Sequence, residues 1–140
     1  MAKTANHHSP NGRVRVSPSN IHGRGLFAAV ALPRRRKIGS LSGKIVTLPD
    51  AWKKVEAQSR IYMVELTRRY ALDCTRGNHF KYLNHSCQPN CYLRIYRRSV
   101  EVYALKPIES GTELTVDYGE TPHKGGMACR CGVSGCKGAL

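Results

Sequence analysis

The stretch YLNHSCQPNC, Tyr82 to Cys91, decides how the rest of this chain is read. It packs two cysteines, a histidine and two asparagines around Pro89. Three readings are open locally: a metal site, a catalytic site or a polar turn. Each needs partners that this stretch does not contain. They have to come from two distant segments, one at the C-terminus and one near the N-terminus.

A chain of 140 residues favours one domain with room for a small appendage. Apolar residues make up 41%, enough for a modest core. No apolar run approaches the roughly 20 residues of a membrane helix. The opening MAKTANHHSPNGR has no apolar signal-peptide core, so the protein is read as soluble and intracellular, with no membrane partner. The formal net charge of +14 favours an acidic partner, nucleic acid first among them. No nucleic-acid motif accompanies the charge, so a solvated basic surface, or proximity to nucleic acid through a bound protein, stands beside that reading. In a reducing compartment the six cysteines point to metal binding rather than to three disulfides.

Residues 1–12 are polar and read as a disordered tail carrying His7 and His8. RVRV alternates, which puts Val14 and Val16 inward and Arg13 and Arg15 outward. SNIHGRGLFAAV is a glycine-marked turn entering a strand, LPRRRK a basic turn, and GKIVTL a short strand. PDAWKKVEAQ is the one helix candidate, with Ala51 and Val55 on a shared face. IYMVEL and ALDC read as strands, CYLRIY and VEVYAL as a hairpin around RRS, and GTELTVDYG as turn, strand and closing glycine. The sum is mostly β with short helices. Strands and helices do not alternate, which argues against a doubly wound nucleotide fold and weakens HGRG as a dinucleotide signal.

CRCGVSGC places Cys129, Cys131 and Cys136 within eight residues. Three thiolates this close can wrap one tetrahedral zinc and leave a fourth position open. Candidates for that position are Cys74, Cys87, Cys91 and several histidines. Cys74 sits in an apolar run, where a buried thiol is the ordinary outcome. The tail has few apolar side chains to bury, so metal ligation would supply the folding free energy that packing cannot.

IHGRGLFA, YLNHSCQPNC, ALKPIESGTELTVDYG and CRCGVSGC occur in the order and at the spacings of another group of proteins. Over roughly residues 13–140 the chain resembles the SET-domain protein-lysine methyltransferases with a post-SET zinc motif. The resemblance implies small curved sheets (a β-clip) with a C-terminal pseudoknot, in which the NHSC segment threads beneath a C-terminal loop. It divides the chain into a SET domain at 13–120 and a zinc-binding post-SET segment at 121–140. It also selects Cys87 as the fourth zinc ligand, beside Cys129, Cys131 and Cys136.

The implied reaction moves a methyl group from S-adenosylmethionine to a lysine amine on a protein, a histone or another nucleic-acid-associated protein. Tyr118 matches the family's catalytic tyrosine and Tyr62 its second site tyrosine, beside donor and lysine. His22, Gly23, Arg24 and Gly25 match the donor-binding loop. Asn84 matches the residue whose side-chain oxygen accepts from the donor's amino group, and His85 the one whose backbone holds the adenine. Asn90 and Cys91 have no assigned part and read as a turn amide and a buried thiol. The protein would be cytoplasmic in a bacterium and nuclear in a eukaryote.

Two positions depart from the family pattern. Leu41 falls where many members carry a channel tyrosine, and Val116 where Tyr or Phe limits the number of methyls added. The segment from Thr47 to Ile61 is short, which implies a small, open peptide groove. Two rival classes remain: a zinc-bearing basic module that binds nucleic acid, and a catalytically silent SET-like interaction module.

Overall fold

The computed structural model describes residues 7–8, 12–57, 62–118 and 136. The strands are β1 (His7–His8), β2 (Val14–Pro18), β3 (Arg24–Ala28), β4 (Lys37–Leu41), β5 (Lys44–Thr47), β6 (Met63–Glu65), β7 (Tyr70–Asp73), β8 (Asn84–His85), β9 (Cys91–Tyr96), β10 (Ser99–Ala104) and β11 (Glu113–Val116). Helix α1 spans Leu48–Glu56, and a 3-10 turn spans His79–Tyr82. The strands form three sheets, ordered β1-β2-β3-β11-β8, β4-β10-β9 and β5-β7-β6. The mostly β expectation holds, with the sheets small and the helices short.

Val14 and Val16 are fully shielded, as their alternation requires. They join Leu26, Ala28, Leu114 and Val116 in one apolar cluster with Ile38, Phe80, Val102 and Ala104. Arg15, on the outer side of β2, lays its guanidinium over the Phe27 ring. The CYLRIY–VEVYAL hairpin forms with Arg97 and Arg98 as its turn, and Arg97 adopts φ +57°. Gly39 makes the β4 sheet fit the 3-10 turn, because a Cβ there would run into the Phe80 ring. Inside the segment read as a tail, His7–His8 pairs with β2.

Helix α1 turns its buried Ala51 and Val55 inward, following Pro at its first turn. Lys54 reaches from it to Asp73 on β7 at 2.7 Å. Burial pushes the Asp73 carboxyl up, but hydrogen bonds from Lys54 and Thr75 outweigh it and hold the group below its ordinary range. The helix is thereby fastened to its sheet on the polar side as well as the apolar one.

One of the shortest pairings ties the NHSC segment to the last strand. β8 runs parallel to β11, matching Asn84 with Thr115 and His85 with Val116. Ser86 N–H then donates to the Val116 carbonyl at 3.0 Å. Asn90 closes the same junction: its Nδ2 donates to the Glu113 carbonyl at 2.8 Å and its Oδ1 accepts from Thr115 N–H at 2.9 Å. The residue read as a local turn amide instead ties the NHSC segment to the last strand. A loop passing over this segment, as the pseudoknot requires, falls in 119–135, outside the described residues.

Candidate active site

Asn84 is 2% exposed and gathers the N-terminal loop. Its Nδ2 lies 3.1 Å from the His22 carbonyl, 3.2 Å from the Arg24 carbonyl, 3.1 Å from Ser19 Oγ and 2.8 Å from Glu113 Oε2. Four acceptors around one nitrogen fix the amide's orientation, since the flipped amide would set oxygen against oxygen. Asn84 Oδ1 has no hydrogen-bond partner among the described residues. A buried acceptor of this kind costs roughly 1–3 kcal/mol unless a ligand satisfies it.

Ser19 and Glu113 complete the cluster, and neither is visible as a functional residue in the sequence. Ser19 Oγ donates to the Glu113 carboxylate at 2.8 Å and accepts the Ile21 N–H at 2.9 Å. Gly23 takes φ +50°, a turn conformation that favours glycine. A Cβ at Gly25 would collide with the Glu113 carboxylate. The HGRG glycines therefore serve two ends, a reversal at Gly23 and a close approach at Gly25.

His85 follows Asn84 and is 5% exposed. Its Nδ1 accepts the Tyr118 N–H at 2.9 Å, which puts the ring proton on Nε2. Asp117 Oδ1 stands 3.7 Å from the same Nδ1. That nitrogen is already an acceptor, so we treat the approach as no ion pair. Nε2 lies 3.4 Å from Cys87 Sγ. Both ring nitrogens are thus occupied, which leaves the imidazole no free base.

Cys87 Sγ stands 3.9 Å from Cys136 Sγ. That is too long for a disulfide of about 2.05 Å. It matches the edge of about 3.8 Å that zinc–sulfur bonds of about 2.3 Å set in a tetrahedron. Cys129 and Cys131 lie outside the described residues, among which no group of three or more metal-binding side chains gathers. Cys74 and Cys91 are buried free thiols, as their apolar surroundings imply. Burial pushes each up to about 12, so both stay protonated near neutral pH.

Beyond this cluster lies a pocket of about 210 Å³. Tyr118, Tyr62, Val116, Leu41 and Leu83 line it, with Trp52 of α1 on another wall. Small-molecule sites run at about 300–1,000 Å³, so this pocket suits one side chain better than a whole nucleoside. Tyr118 Oη donates to the Leu83 carbonyl at 2.7 Å, which fixes the phenol proton and leaves oxygen lone pairs. Lys81 Nζ donates to the Thr75 carbonyl at 2.7 Å and stands over the Tyr62 and Tyr82 rings. His22–Gly25 and Asn84 do not line this pocket. The two regions join through the chain: Leu83 precedes Asn84, and Val116 pairs with His85.

The SET domain family model matches residues 23–119, which include Gly23–Gly25 of the HGRG turn, the NHSC segment and the last strand. The chain belongs to the SET domain family. Among curated relatives, this SET chain is 34% identical over 116 residues to Histone-lysine N-methyltransferase MEDEA of Arabidopsis thaliana, covering 77% of this chain and 17% of that protein. It is 32% identical over 138 residues to "Histone-lysine N-methyltransferase, H3 lysine-4 specific" of Schizosaccharomyces pombe, covering 91% of this chain and 15% of the relative. A third, Histone-lysine N-methyltransferase ASHR3 of Arabidopsis thaliana, is 28% identical over 138 residues, covering 91% and 28%. The SET chain therefore spans less than a third of the length of these relatives. No described helix of this SET protein is long and apolar enough to cross a membrane.

Proposed function

We propose that this chain is a protein-lysine N-methyltransferase that draws on S-adenosylmethionine. The observation that carries the reading is Tyr118, its hydroxyl held by the Leu83 carbonyl at the wall of a side-chain-sized apolar pocket shared with Tyr62 and Val116. A lysine entering such a pocket sheds its charge readily, because burial disfavours the ammonium and lowers its pKa from about 10.4. The neutral amine is the form that can attack. Tyr118 would orient its lone pair and stabilise the charge that develops, with Tyr62 as the second wall of the channel.

When bound, S-adenosylmethionine would supply a methyl group on a positively charged sulfur. The buried Asn84 Oδ1, without a partner among the described residues, fits an amino group there, and the backbone of His22, Gly23, Arg24 and Gly25 offers a close approach. His85 would contribute its backbone. A structural zinc on Cys87, Cys129, Cys131 and Cys136 would pin a post-SET segment at 121–140 against a SET domain at 13–120, with 1–12 as a tail. Support for the zinc comes from the Cys87–Cys136 spacing and the Nε2–H of His85, which is placed to donate to the Cys87 sulfur.

The relatives' names support a lysine of a histone as the substrate, within a wider class of nucleic-acid-associated proteins, and the protein would act in the nucleus if eukaryotic or in the cytoplasm if bacterial. Incubation with labelled donor and a lysine-rich protein mixture tests the reading. Transfer to lysine supports it; donor binding without transfer favours the silent SET-like module. Asn84→Ala is expected to weaken donor affinity roughly tenfold, measured by calorimetry, because one acceptor and the loop's anchor go together. Unchanged affinity would remove Asn84 from the donor site.

Val116 and Leu41 bear on product number. Neither carries a hydroxyl that could hold a water against the amine and fill the room a further methyl needs. The product is expected to pass monomethyl-lysine and reach the di- or trimethyl state. Mass spectrometry of an exhaustively treated substrate checks this. A single methyl, unaltered in Val116→Tyr, would mean that another residue closes the channel.

A further inference from the structure

The β4–β10–β9 sheet has one face in the core and one in solvent. Cys91 and Leu93 of β9, and Val100, Val102 and Ala104 of β10, point inward. The alternate residues, Tyr92, Arg94 and Tyr96 opposite Tyr103, Glu101 and Ser99, point outward. This outer face carries exposed aromatic rings. Tyr96 is 54% exposed and Tyr92 37%.

Its chemistry is organised. Tyr92 and Tyr103 are cross-strand partners whose rings stack at 5.5 Å with planes 17° apart. The Arg94 and Arg97 guanidiniums lie 5.7 and 5.4 Å from the centre of the Tyr96 ring. Arg97 and Arg98 form the exposed turn at one end, and Lys37 stands on β4 at the other. The one carboxylate among them, Glu101, is already engaged by Lys37 at 3.0 Å. Six strand residues extend about 20 Å, so the face is a track of rings with the Arg97–Arg98 turn at one end and Lys37 and Arg94, both within reach of Glu101, along the rest.

A flat face of exposed rings interleaved with arginine suits unpaired bases over a negative backbone. Stacking takes any base, and guanidiniums take phosphate. Duplex DNA keeps its bases paired and offers only charge to such a surface. An acidic protein would use the cations but leave the rings idle. The net charge of +14 supplies the long-range attraction in any of these cases and does not choose between them.

We propose that the outer face of the β4–β10–β9 sheet is a platform for single-stranded nucleic acid. It lies apart from the pocket and the donor cluster, and binding there requires no methyl transfer. The face would hold the protein near nucleic acid while the pocket works on a protein bound to the same strand.

Fluorescence anisotropy with a short labelled oligo(dT), across a salt series, tests this on the full chain. The expected result is tighter binding to oligo(dT) than to its duplex. Tyr96→Ala is expected to lose about tenfold in affinity, and Arg97→Glu at least as much, with a shallower salt slope for the arginine change only. Methyl transfer to a free peptide should be unchanged in both, so a failure here is separable from a failure of the enzymatic reading. Lys53→Glu on α1, the same charge change on another face, serves as the control. Equal losses in Arg97→Glu and Lys53→Glu would reduce the binding to diffuse charge and overturn the proposal. So would equal affinity for the duplex, or Tyr96→Ala binding as wild type, an outcome that fits an acidic protein on the same cations.

Discussion

Tyr118→Phe is expected to cut methyl transfer at saturating donor by at least about 10²-fold while leaving donor affinity within about threefold. The hydroxyl sits on the pocket wall rather than in the Asn84 cluster, so under the proposed function its loss should be felt in the transfer step and not in donor affinity. A 10²-fold loss corresponds to about 2.7 kcal/mol of transition-state stabilisation, a magnitude usual for one oriented polar group. The substitution has a second effect. The Leu83 carbonyl loses its 2.7 Å donor, and Leu83 is 4% exposed. A drop of about 1–3 kcal/mol in stability should accompany the loss of turnover. Reading unfolding beside single-turnover rates separates the two. Wild-type turnover in a folded Tyr118→Phe protein would reject Tyr118 as the catalytic residue.

Removing the zinc is expected to be the other large change. One zinc per chain should be found by elemental analysis, and chelation, or Cys87→Ser, should release it. Structural zinc contributes about 10–16 kcal/mol in small domains that lack a core, and the glycine-rich CRCGVSGC tail has little else to fold around. Donor affinity should fall with it, because Cys87 lies three residues beyond Asn84 on the same segment. His85 carries the link: its Nε2 faces the Cys87 sulfur while its Nδ1 receives the Tyr118 N–H. A loosened Cys87 would therefore be felt at Tyr118. Metal-free protein with full donor affinity would dissolve this coupling, and protein without stoichiometric metal would remove the site.

Much of the fold is legible where a residue's neighbours in sequence are also its reasons. Val14 and Val16 alternate because β2 has one dry face, and the hairpin after Cys91 shows as two apolar-alternating runs around RRS. Strand β4 escapes such reading: KIGSL follows a basic turn, and its Gly39 and Ser40 dilute the pattern. Gly39 is small for a reason 41 positions away, the Phe80 ring. The two-residue strand Asn84–His85 has no period at all and exists only because β11 lies beside it. In the candidate site, the motif residues of the SET resemblance do meet: Asn84 touches the HGRG loop, and Tyr118, Tyr62, Val116 and Leu41 share one pocket. The Ser19–Glu113 bond, across 94 positions, leaves no local trace. Asn90 is the instructive case, since an asparagine after proline looks like a turn and proves to bracket a distant strand.

The late arrival of β11 has a consequence for how the protein is made. During synthesis at about 5–20 residues per second, roughly 5–20 s separate the emergence of Ser19 from that of Glu113. Until then β3 lacks its β11 neighbour, and the loop that Asn84 bridges lacks the Ser19–Glu113 bond. An open edge beside apolar side chains is the usual template for clumping with other nascent chains. The strand that delivers Glu113, Val116 and the approach to Tyr118 is also the one that seals this edge. Protection from aggregation and assembly of the Asn84–Glu113 cluster should therefore be acquired in one step, once β11 has emerged, and a ribosome that stalls before Glu113 would leave a chain lacking both.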